Sequence, residues 1–139
     1  MSRIAVVYWS GTGNTEAMAE LVKEGVESAG GEAELIQAAD FTPDQVESFD
    51  AFAFGCPAMG AEELEDFEFS PMWEAVEPVL AGLKTGLFGS YDWGTGEWME
   101  LWRDRAESAG IDIVDSVIAN LAPEGDEAQA CRALGENLA

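Results

Sequence analysis

Ile4-Ala5-Val6-Val7-Tyr8-Trp9-Ser10-Gly11-Thr12-Gly13-Asn14-Thr15-Glu16 is the stretch that decides the fold. Its first five residues form an unbroken apolar, β-branched run, which predicts a strand covered on both faces. A turn of small polar residues and two glycines follows. Met18, Leu21, Val22, Gly25, Val26 and Ala29 then recur at helical spacing and predict an amphipathic helix, stopped by Gly30-Gly31. A strand, a glycine turn and a helix in that order aim the turn's N–H groups and the positive end of the helix at one point, which makes an anion site. The turn is not a P-loop, because no Gly-Lys-Ser/Thr follows. Nor is it a dinucleotide fingerprint, because Glu16 stands at the third glycine position. It holds no Lys or Arg. A phosphate there would be neutralised by dipoles and by the neutral donors of Ser10, Thr12, Asn14 and Thr15.

The same alternation continues along the chain. Ala33 to Gln37 predicts a second strand. Thr42-Pro43-Asp44-Gln45 reads as a capping box with Pro at the first helical position, and Phe41 and Val46 as its hydrophobic staple. Ala51 to Phe54 predicts a third strand, ending in Gly55-Cys56-Pro57. A helix is expected from Ser70-Pro71, with Met72, Trp73, Val76, Val79 and Leu83 inward and Pro78 kinking or dividing it. Thr85 to Ser90 predicts the fourth strand. Trp98, Leu101, Trp102, Arg105 and Ala109 mark the next helix, and Ile111 onward the fifth strand. Asp126 to Leu138 predicts a last helix with Ala128, Cys131, Leu134 and Leu138 inward. Five strands alternating with five helices imply a parallel sheet covered on both faces, in one domain over residues 1–139. With right-handed crossovers the strand order is 2-1-3-4-5, and the ligand crevice lies at the carboxyl ends of strands 1 and 3.

The balance of 28 acids against 6 bases excludes a nucleic-acid or anionic-membrane surface. Between Glu24 and Leu83 there is no Lys or Arg at all. The same charge favours basic partners or reflects adaptation to high salt. With no histidine, Ser-His-Asp and Cys-His catalysis are absent. Cys56 and Cys131 are far apart in sequence, form no CxxC spacing, and are expected as reduced thiols. No apolar run approaches the ~20 residues of a membrane span, and the N-terminus has no signal-peptide pattern. A soluble cytoplasmic protein is expected, with no metal site.

Two further turns carry the chemistry. Gly55-Cys56-Pro57-Ala58-Met59-Gly60-Ala61-Glu62 ends strand 3, and Gly89-Ser90-Tyr91-Asp92-Trp93-Gly94 ends strand 4. Each sets a large flat or soft side chain, Met59 or Trp93, among small residues. A ligand ring to stack on accounts for that placement. With these motifs in this order and spacing, the chain resembles the short-chain flavodoxins over essentially its full length.

The resemblance implies the flavodoxin-like three-layer α/β/α sandwich and FMN as a non-covalent cofactor. It implies that Ser10, Thr12, Asn14 and Thr15 bind the phosphate and that Met59 and Trp93 flank the ring. Glu62 would accept from ring N3, and the backbone N–H groups of Asp92 and Trp93 would meet the pyrimidine end. The Gly60 carbonyl would accept N5–H after reduction. Trp9, Gly11, Gly13, Pro57, Ala58, Ala61, Ser90, Tyr91 and Gly94 complete the implied cofactor-binding set. Asp92 stands where short-chain members commonly carry Gly, and Ala61 where Asp, Asn or Gly is frequent; both departures bear on the redox potentials.

The implied function is low-potential one-electron transfer, shuttling mainly between semiquinone and hydroquinone, without small-molecule catalysis. One carboxylate ~8 Å from the ring disfavours the reduced anion by about 0.5 to 2 kcal/mol, roughly 20 to 90 mV. Reductases or oxidoreductases with basic docking surfaces are the expected partners of a monomer. Glu62, Glu63, Glu65, Asp66 and Glu68 read as a docking rim or as a solvated loop. Three rivals compete. A ribonucleotide-reductase activator would be a specialised member of the same family. An NAD(P)H:quinone or azo reductase would need space for substrate beside the ring. A phosphoacceptor domain of the same fold would need acids where Trp9-Ser10 and Gly55-Cys56 stand.

Overall fold

The computed structural model describes residues 2–139 except Thr12, Gly60, Ala61, Glu62 and Trp93. Five strands, β1 (Arg3–Tyr8), β2 (Glu32–Gln37), β3 (Ala51–Gly55), β4 (Lys84–Tyr91) and β5 (Asp112–Asn120), make one sheet in the order β2-β1-β3-β4-β5. All four neighbouring pairs are parallel. The helices are α1 (Asn14–Ser28), α2 (Phe69–Val76), α3 (Glu97–Ser108) and α4 (Asp126–Leu138).

Alternation along each strand sorts the core into two layers. Ile4, Val6 and Tyr8 of β1 meet Met18, Val22 and Val26 of α1 and Cys131, Leu134 and Leu138 of α4. Ala5 and Val7 point the other way, to Phe69, Met72 and Trp73 of α2 and Trp98 and Trp102 of α3. In β3 the repeat Ala51-Phe52-Ala53-Phe54 puts alanines under α1 and α4 and phenylalanines under α2 and α3. The Phe side is an aromatic block, with Trp73 edge-on to Phe54 at 5.2 Å and to Trp102 at 5.4 Å. The Ala side leaves room for two helices to come close. A Cβ on Gly25 would sit 2.0 Å from the Arg132 carbonyl oxygen, and one on Gly135 would sit 2.0 Å from that of Val22. Both glycines are therefore contact points of α1 with α4.

Four expectations are corrected. The segment after Thr42 is a 3₁₀-helix (Pro43–Ser48), so among the described residues the α-helices are four. Its capping box is present, with the Thr42 N–H donating to Gln45 Oε1 at 3.1 Å. Pro78 divides its segment as expected, α2 ending at Val76 and a 3₁₀ turn (Glu77–Val79) following, but Val79 does not point inward. That tighter winding rotates Val79 outward, to 46% exposure. In α3 the buried stripe is Trp98, Met99, Trp102 and Ala106, which leaves Leu101 57% exposed and Arg105 on the surface. Ala29 is the exposed C-cap of α1. Among the described residues, no helix is long and apolar enough to cross a membrane.

Gly135→Ala tests the α1–α4 contact. Alanine favours an isolated helix by about 1 kcal/mol, yet here the methyl must part the two helices. We expect urea unfolding to show a net loss of about 1 to 3 kcal/mol; equal or greater stability would refute the close approach.

Candidate functional site

The segments leaving β1 and β3 depart on opposite faces of the sheet, toward α1 and α2. Between them, at the carboxyl ends of β1, β3 and β4, lies a crevice of about 220 Å³ lined by Trp9, Gly11, Asn14, Pro57, Ala58, Met59, Ser90, Tyr91 and Asp92. Residues from all three predicted turns thus line one crevice. Thr12, Gly60, Ala61, Glu62 and Trp93, which belong to the same expected set, lie outside the described residues.

The first turn is held from within. Ser10 Oγ accepts the N–H groups of Gly13 at 3.1 Å and Glu16 at 3.3 Å. Gly13 takes φ +95°, a left-handed conformation that favours glycine. Gly11 lies under the Trp9 indole, and a Cβ there would come within 3.1 Å of the ring. Asn14 and Thr15 open α1, where a helix leaves its N–H donors without intrahelical acceptors. The Thr15 side chain turns inward: it is 1% exposed, and its Oγ1 lies 2.8 Å from Ser90 Oγ. Two residues of the expected cofactor set therefore bond each other, tying the first turn to the third. Gly94 also has positive φ, at 94°.

The second turn is braced at both ends. Ala58 N–H donates to the Ser90 carbonyl at 3.0 Å. Met59 and Glu63 exchange two backbone hydrogen bonds, of 2.8 and 2.9 Å, across residues 60–62. Beyond it, one of the acids read as a rim is not on the rim. Glu65 is 4% exposed, and its carboxylate accepts the N–H groups of Phe67, Glu68 and Phe69 at 2.7 to 2.8 Å. It caps the start of α2. Burial raises its pKa, but the three donors together outweigh burial and hold the carboxyl below the usual glutamate range. Cys56 Sγ accepts the Glu65 N–H at 3.4 Å; burial pushes this thiol up to about 12, so it is inert. Glu63, Asp66 and Glu68 remain exposed, and Glu68 accepts the Trp9 Nε1 hydrogen bond at 3.1 Å. The Glu65 cap is not singled out by the sequence, where Glu63, Asp66 and Glu68 precede α2 equally well.

The bases stand elsewhere. Arg3 and Lys84 begin β1 and β4, at the far end of the sheet. Arg105 pairs with Glu77 at 3.0 Å and Arg132 with Glu24 at 3.0 Å. None of the described crevice residues is basic. A helix N-terminus for a phosphate, backbone approach at Gly11 and apolar walls at Trp9, Met59 and Tyr91 fit a flat ring ending in a phosphate, as FMN does.

Comparison with known proteins agrees. The family model described as Flavodoxin matches residues 6–135. The chain is 47% identical to a flavodoxin of Megasphaera elsdenii, covering 98% of each chain, and 41% identical to one of Clostridium beijerinckii, covering 96% of this chain and 97% of that one. The solution structure of the two-electron reduced Megasphaera elsdenii flavodoxin superposes with a TM-score of 0.90 over 96% of both chains.

Glu65→Gln tests the cap, with a sign fixed by the lowered pKa. The carboxylate's stabilisation is complete above the ordinary Glu value of about 4.3 and fades as pH falls through the lowered folded value. In urea unfolding we expect wild type to exceed Glu65→Gln by about 1 to 3 kcal/mol at neutral pH, with the gap closing in acid. A gap that does not change with pH would contradict a charged cap.

Proposed function

The chain belongs to the flavodoxin family, and from that premise we propose how its residues hold the cofactor and meet their partners. The protein is a low-potential electron carrier that binds FMN, not an enzyme acting on a small-molecule substrate. When bound, FMN supplies a ring that takes up and releases electrons one at a time. The whole chain serves as one FMN-binding domain.

In this reading Ser10, Thr12, Asn14 and Thr15 surround the phosphate. The contribution of Ser10 and Thr15 is largely indirect: Ser10 Oγ shapes the turn, and Thr15 locks it to Ser90. Trp9, Gly11, Gly13, Pro57, Ala58, Ser90, Tyr91 and Gly94 form the crevice walls and turns. Met59 and Trp93 would take the two faces of the ring, and Glu62 would accept from N3. Met59 and Glu63 pair with each other; between them in sequence, the Gly60 carbonyl would be the acceptor for ring N5–H, next to Ala61. Asp92 presents its backbone N–H to the pyrimidine end.

The observation that carries the electrochemical reading is a crevice whose described lining holds Asp92 and no basic residue, with Glu63 bonded to its Met59 and Glu68 to its Trp9. Negative charge added there meets acids and no cation. The second of the two one-electron potentials is lowered, and the protein works mainly on that lower couple. The exposed Glu63, Asp66 and Glu68 form a docking rim for basic redox proteins. Two unpaired, buried thiols suit a reducing compartment, and we place the protein in the cytoplasm as a monomer.

The rim is tested by stopped-flow reduction of a cationic one-electron acceptor protein. Neutralising Glu63, Asp66 and Glu68 together, as Gln, Asn and Gln, should slow the second-order rate by about tenfold at low salt and flatten its salt dependence. An unchanged rate and salt slope would overturn the docking role, and steady NADPH oxidation by the protein alone would overturn the carrier assignment.

A further inference from the structure

The end of β5 holds a clamp that the cofactor reading above does not use. Tyr91 and Asn120 form the last rung of the β4–β5 ladder. Beyond that rung the Asn120 side chain continues the ladder: its Nδ2 donates to the carbonyl oxygens of both Tyr91 and Asp92, each at 3.3 Å. The next backbone N–H, that of Leu121, donates to the Tyr91 carbonyl at 2.8 Å. To do so Leu121 takes φ +61°, the one positive φ of a non-glycine residue among those described. A left-handed leucine is strained. Its side chain is 48% exposed, so packing does not compensate. The bond to Tyr91 is the interaction at hand that does. Asn120 is itself held, its N–H donating to Glu127 Oε2 of α4 at 3.0 Å.

The peptide plane turns these bonds into an orientation. In a trans peptide the carbonyl and the following N–H point in opposite directions. With the Tyr91 carbonyl drawn toward β5, the Asp92 N–H points toward the β3 side. There Ala58 and Met59 form the opposite wall of the crevice.

We propose that Asn120, with Leu121, is a positioning residue for the cofactor: it fixes the Tyr91–Asp92 backbone so that the Asp92 N–H is aimed into the crevice before the ring arrives. The inference rests on the FMN reading of that crevice. Asn120 touches no reacting atom and acts through the third turn.

The test uses Asn120→Ala and the near-isosteric Asn120→Leu, which keeps the bulk, loses the donor and adds no charge. Each is compared with wild type in FMN affinity, in the lower one-electron potential, in the amide NMR shift of Asp92 without cofactor, and in melting temperature. We expect both variants to bind FMN about tenfold more weakly, with a shifted lower potential and a moved Asp92 amide resonance, at nearly unchanged melting temperature. Should one variant fail to fold, the other decides. Wild-type affinity, potential and Asp92 resonance in a folded variant would overturn the clamp. Failure of wild type itself to take up FMN would instead overturn the reading beneath it.

Discussion

A parallel ladder whose neighbouring strands β1 and β3 send their following segments to opposite faces cannot close over its own carboxyl edge. The remaining structure answers to that gap. Alternating small and large residues in β3 allow α1 and α4 to pack closely on one face and an aromatic block to fill the other, which fixes the strand ends. With the ends fixed, three turns project into one space. Their cross-bonds, Thr15 to Ser90, Ala58 to Ser90 and Trp9 to Glu68, make the crevice a connected frame.

The second consequence is electrostatic. In the proposed site the phosphate would meet a helix end and neutral hydroxyls, and no described crevice residue is a cation that would offset added electrons. The acids nearby then act in one direction, against the second electron. The net charge of −22 carries the same sign along the chain, and the proposed docking of basic proteins rests on that field. In the proposed function one composition serves both the low potential and the choice of partner.

Much of this was legible in the chain. The strand run Ile4–Tyr8, the glycine turn after it and the helical spacing from Met18 imposed a βα unit, and repetition of that unit imposed the sheet order. What was not legible depended on phase or on long-range folding back. Trp98-Met99-Glu100-Leu101-Trp102 supports two apolar stripes, and nothing local says that Met99 is the buried one and Leu101 the exposed one. Val79 follows a proline whose 3₁₀ turn changes the helical phase. The acidic run 62–68 looks uniform as a string, yet the chain's return toward α2 turns Glu65 alone among its described acids inward. Asn120 is an ordinary polar strand end until β4 lies beside it.

The proposed function requires a phosphate held by dipoles in a crevice shaped for a flavin ring. Calorimetric titration of the apoprotein with FMN and with riboflavin, which lacks the phosphate, tests this most directly. Tight one-to-one uptake of FMN, with riboflavin bound at least a hundredfold more weakly, about 2.7 kcal/mol, is the expected result. No uptake of FMN, or equal affinity for the two, would contradict it.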